Sequence, residues 1–143
     1  MPRATELSSV SASTDDSIVA YVRAEYGSVL DAVEDAADRA VATWPTPTVA
    51  DGGRVRSSLR RAMAEHDLHE QLPALLETVV GRLGATMRTT PVPAPPYVVV
   101  TSEAVLLRAT TDRGRILVAL RVFERGADGY ERRDGVAVSV TVQ

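Results

Sequence analysis

The sequence predicts an α+β fold: about three N-terminal helices, then a four-stranded antiparallel meander, with the helices packed on one sheet face. Three observations carry this. Apolar residues recur three and four apart before residue 90, they alternate after residue 97, and a proline-rich segment, PVPAPP at residues 91–96, separates the two regimes. The chain has 143 residues, 45% of them apolar, enough to bury one core. Residues 15–143 are therefore expected to form a single domain, with a helical half at 15–90, the seam at 91–96 and the sheet at 97–143. Residues 1–14 are Ser-rich and aperiodic, and they read as a disordered tail.

The first helix begins near residues 15–17, where Thr14 or Asp15 can cap it and acidic residues complement the helix dipole. Ile18, Val22, Tyr26, Val29, Val33, Ala36, Ala40 and Trp44 then form one continuous stripe, which Pro45 and Pro47 stop. A second helix is expected over residues 54–66, with Val55, Leu59, Ala62 and Met63 inward and Arg54, Arg56, Arg60 and Arg61 on its other face. A third spans about residues 72–87, with Pro73 tolerated in its first turn. Gly81 and Gly84 within it point to close packing against a neighbour.

Beyond the seam, proline holds the backbone extended and keeps the third helix from running into the first strand. Strands are expected at residues 97–101, 104–110, 115–125 and 136–142, the first three joined by two-residue turns at Ser102-Glu103 and Asp112-Arg113. This register places Val98, Val100, Val105, Leu107, Ala109, Ile116, Val118, Leu120 and Val122 on one face, joined by Val136, Val138, Val140 and Val142. That face is wholly apolar and needs the helices to cover it. The segment RGADGYERRDG, residues 125–135, is polar and glycine-rich and reads as a mobile or partner-contacting loop.

The opposite face collects Tyr97, Arg108, Arg121 and Phe123, among hydroxyls and some aliphatic residues. Arginine forks and rings on one surface make these four the candidate ligand-binding residues, for an anion or for single-stranded nucleic acid. Two other uses of the face compete with that one: a half-solvated surface on which Arg stems cover apolar area, and burial against a second copy of the chain. Arg54, Arg56, Arg60 and Arg61 are the alternative nucleic-acid contacts, although the long, proline-containing loop before them does not suit a helix-turn-helix.

Catalytic and metal-binding patterns are weaker. His66 and His69 stand three apart, as two ligands on a helix would, but the chain holds only two His and no Cys to complete a zinc set. No metal and no cofactor is expected. Nucleophile-elbow and phosphate-loop patterns are missing, and with no Lys a PD-(D/E)xK nuclease site cannot be written. The expected role is a non-enzymatic interaction module, homodimeric, with an anion or nucleic-acid binder and a small hydrolase as the alternatives. The absence of a long apolar run and of a signal-peptide pattern favours the cytoplasm, without membrane association.

All 16 basic residues are Arg, which points to GC-rich codon usage in the source rather than to mechanism. The stretches PPYVVVTSEAVLLRAT and LDAVEDAADRA make the chain resemble a small uncharacterised haloarchaeal protein family, over about residues 17–142. Those proteins combine a helical N-terminal half with a PPYVVVTS-like entry to a C-terminal sheet. The resemblance implies a cytoplasm of high salt and names no activity. The net charge of −3 is milder than is usual for such proteins, and a GC-rich bacterium is the alternative source.

Overall fold

The computed structural model describes residues 15–65 and 67–143. The expected tail at 1–14 lies outside them. Among the described residues the α-helices are α1 (Asp16–Glu25), α2 (Gly27–Ala42), α3 (Gly52–Glu65) and α4 (Leu72–Arg82), with a 3-10 turn at Leu68–Gln71. The strands β1 (Val98–Val100), β2 (Ala104–Thr111), β3 (Gly114–Gly126) and β4 (Gly129–Val142) form one antiparallel sheet in the order β1-β2-β3-β4.

The expected first helix is two. Asp15 caps α1, its Oδ1 accepting from the N–H of Ser17 and of Ile18 at 3.2 Å. The helix breaks at Tyr26 (φ −117°, ψ 27°). Gly27 follows, a residue that loses much backbone freedom in a helix, and the Tyr26 hydroxyl is held by Thr78 Oγ1 of α4 at 2.6 Å. The apolar stripe continues across the break, so periodicity alone does not reveal it. The third helix also stops early, at Arg82. Gly84 (φ +70°) ends it in a Schellman arrangement, with Ala85 N–H on Val80 O and Gly84 N–H on Gly81 O, both 3.0 Å. Gly84 thus serves as a helix stop rather than a packing residue.

Both short turns hold two residues, since Val100 pairs with Val105 and Thr111 with Gly114. The valine-rich face is buried under the helices as expected, in a core that joins Val98, Leu107, Ile116, Val118, Leu120 and Val140 to Leu59, Met63, Leu76 and Val79. The segment at 125–135 is not a loop. It forms the β3–β4 hairpin, turning at Ala127 and Asp128 between the paired Gly126 and Gly129. Gly129 has φ +129°, and a Cβ there would stand 2.7 Å from Val49 O, so the close approach of residue 49 requires glycine. Val49 and Tyr130 exchange backbone hydrogen bonds of 3.1 and 2.8 Å, and Arg132 ties the hairpin to Glu34 and Asp38 of α2.

Candidate anion-binding hollow on the open sheet face

The helices leave the second face of the sheet half-exposed. Tyr97, Arg108 and Leu117 form a cross-strand row on it, and Thr110 and Arg115 form the next. Arg108 and Arg115 are therefore diagonal neighbours, about 7 Å apart at Cβ. The segment at 85–89, freed by the early end of α4, rises beside these rows. It is anchored there by Thr86 N–H on Asp112 Oδ1 at 2.7 Å, by Asp112 N–H on Thr86 O at 3.2 Å, and by a bridge from Met87 to Thr111.

Together these parts enclose a hollow of about 390 Å³, lined by Met87, Arg88, Thr89, Pro96, Tyr97, Arg108, Thr110 and Arg115. Three of the eight are arginines, and no lining residue is acidic. The Tyr97 hydroxyl shares a hydrogen bond of 2.5 Å with Thr89 Oγ1, which holds the ring against the wall. Two adjoining hollows that share Met87 and Arg88 with it each bring one carboxylate, Glu77 and Asp112, and Asp112 is already engaged by Thr86. Among the described residues, the Arg–carboxylate pairs belong to Arg121, Arg132 and Arg133, and none involves Arg88, Arg108 or Arg115. Like charges held this close repel one another, and an anion between them would offset the repulsion. Arg adds planar donors suited to phosphate or carboxylate.

Of the four residues first nominated, the structure brings two together. Tyr97 and Arg108 line the hollow. Arg121 shares their face but stands opposite Ala104, about 13 Å along the strand from the Arg108 row, and its Nη1 lies 3.7 Å from Glu103 Oε1. Phe123 is on the other side of the sheet and is a correction to the expected face. Val122 and Phe123 N–H both donate to Glu103 O, at 3.0 and 3.1 Å, the pattern of a β-bulge. The bulge turns two consecutive side chains inward. Phe123 is 1% exposed, with its ring centroid 5.3 Å from that of Trp44. The sequence does carry the sign, since the adjacent Val122 and Phe123 break the strand's alternation. Arg88 and Arg115 were missed. Arg88 lies just past the expected end of the third helix, and Arg115 falls on the outer face by strand alternation.

The arginines of α3 do not converge. Arg54 and Arg61 line a shallow hollow with Thr43, Ser57 and Ser58, while Arg60 lines another with His69. Arg56 lines neither. In the first of these hollows Ser58 Oγ is already occupied, accepting from Trp44 Nε1 and donating to Val55 O, both at 3.0 Å. Of the two histidines, His66 lies outside the described residues; Asp67 adopts a left-handed φ of 52° and His69 stands in the 3-10 turn that follows. His69 is half-buried, and burial, followed by the charge of Arg60, lowers its pKa below the ordinary histidine value.

No helix among the described residues is long and apolar enough to cross a membrane. No curated protein and no solved structure matches the chain. A family model, "Domain of unknown function (DUF7988)", matches residues 16–143, and the chain belongs to that family.

Proposed function

For this member of a family of unknown function, we propose a non-enzymatic interaction module that takes an anionic ligand on the open sheet face. A haloarchaeal cytoplasm, implied by the resemblance of residues 17–142, belongs to the same reading. The observation that carries it is the convergence of Arg88, Arg108 and Arg115 on one hollow lined by no carboxylate. A small hydrolase is the alternative, and a deep polar pocket joining residues 125–135 to the sheet would favour it. That segment is a hairpin, and its Arg132 is tied to α2.

Titration calorimetry with inorganic phosphate and with citrate, at low salt, tests the reading. Charge-assisted hydrogen bonds contribute roughly 1.5 to 3 kcal/mol each, so replacing Arg108 and Arg115 with Gln should weaken binding by a hundredfold or more. Arg121→Gln should leave it unchanged. Loss of binding in an Arg54→Gln, Arg61→Gln variant, with Arg108→Gln, Arg115→Gln unaffected, would move the site to α3 and contradict the proposal.

Self-association is a second reading, favoured by Val99, Leu106 and Leu117, which lie half-exposed at the centre of the same face. Light scattering over a range of concentrations tests it, and a strict monomer rules it out.

A further inference from the structure

The hollow also constrains what kind of anion it takes. This inference rests on the anion site proposed above and narrows its ligand. We infer that the ligand is a small phosphomonoester carrying a flat ring, of nucleoside-monophosphate size, rather than a strand of nucleic acid.

Size is the first argument. A volume of about 390 Å³ lies in the range of small-molecule sites. The hollow is lined by the segment at 87–89, by Pro96 and Tyr97, and by Arg108, Thr110 and Arg115, and the hydroxyls of Thr89 and Tyr97 meet at its wall, so it is a pit rather than a track.

Charge is the second. Three arginines lining one hollow suit a single group that offers several oxygens at one point, as a phosphate does. A carboxylate offers only two oxygens in a plane, and three such groups would have to be spread across a larger ligand. Among the described residues Thr110 Oγ1 makes no hydrogen bond to protein, which leaves a hydroxyl beside the arginines for a phosphate oxygen.

The third argument is the wall. Met87, Pro96 and the Tyr97 ring give the hollow apolar lining beside its arginines, and the hydrogen bond between Tyr97 and Thr89 fixes the ring before any ligand arrives. A base or other flat ring can stack there while its phosphate reaches the arginines. A nucleic-acid strand would need this arrangement repeated along the face. The face does not repeat it: Phe123 is inside the core, Arg121 is paired with Glu103, and the centre is occupied by Val99, Leu106 and Leu117.

The test is a calorimetric panel at low salt: inorganic phosphate, adenosine monophosphate, adenosine, citrate, and a ten-nucleotide RNA without terminal phosphates. Adenosine monophosphate should bind about tenfold or more tighter than inorganic phosphate, the contribution of one stacked base. Adenosine alone should bind too weakly to detect. Tyr97→Leu should weaken the nucleotide about tenfold or more while costing phosphate less, and Tyr97→Phe should keep the preference, showing that the ring and not the fold is responsible. Phosphate binding that depends on Arg115, with no added affinity for the nucleotide, would overturn this inference and leave the anion site standing. Tighter binding of citrate or of the RNA than of the nucleotide would overturn it as well. If none of the anions binds, the inference and the reading beneath it fall together.

Discussion

At the scale of single residues, His69 has the most direct solution signature. It is half-buried beside the exposed Arg60, and folding therefore favours its neutral form. Its pKa in the folded chain lies below the 6.5 of an unperturbed histidine, so as the pH falls the unfolded chain takes up the proton first. The contribution of His69 is fully present above that value and is lost as the pH drops through it towards the folded pKa. Urea midpoints measured at pH 7.5 and 5.5 should fall for the wild type and fall less for His69→Gln. Equal losses in the two proteins would contradict this account. Phe123 shows another effect at the same scale: one bulge decides whether a ring stacks on a ligand or on Trp44.

Among the elements, the β3–β4 hairpin is joined to α2 by one side chain, Arg132. Arg132 Nε donates to Asp38 Oδ1 at 2.9 Å, its Nη2 reaches Glu34, and its Nη1 donates to the carbonyls of Val122 and Arg133. The guanidinium thus joins the hairpin to α2 and also fills the irregular stretch where β4 departs from regular pairing with β3. Arg132→Met keeps most of the stem and removes these bonds. It should destabilise the fold by roughly 1 to 3 kcal/mol, with amide exchange accelerated at Val49 and Tyr130 more than along β2. Unchanged exchange at those two amides would show that the hairpin is held by other contacts. Nothing in the sequence announces this latch, because the partners are about ninety to a hundred residues apart in the chain and the pairing exists only once the layers are packed. The polar, glycine-rich character of residues 125–135 therefore reads as a loop, although it supplies the hairpin turn and the residues that grip α2.

For the molecule as a whole, the change from helical period to alternation was enough to give the class, the order of helices and sheet, and the register of β1, β2 and β3. Register was legible because the two turns at Ser102-Glu103 and Asp112-Arg113 are short, and short turns leave no freedom to slip. The breaks at Tyr26 and Arg82 were not, since the stripe runs through the first and Gly84 marks the second by its backbone conformation, which an apolar pattern does not encode. The candidate site was half legible for the same reason. Tyr97 and Arg108 follow from strand alternation, whereas Arg88 joins them only because α4 ends early and its connector turns back along β2. Sites built by loops at the edge of a sheet are set by long-range geometry, and alternation cannot report it.

The central claim is that this edge of the open face is an anion site, and backbone amide shifts during a phosphate titration at low salt test it most directly. The account predicts saturable shifts confined to residues around the hollow, at Arg88, Thr89, Tyr97, Arg108, Thr110 and Arg115, which vanish in the Arg108→Gln, Arg115→Gln variant. Shifts distributed over all the surface arginines, those of α3 and Arg121 included, or no saturable shift at all, would contradict it.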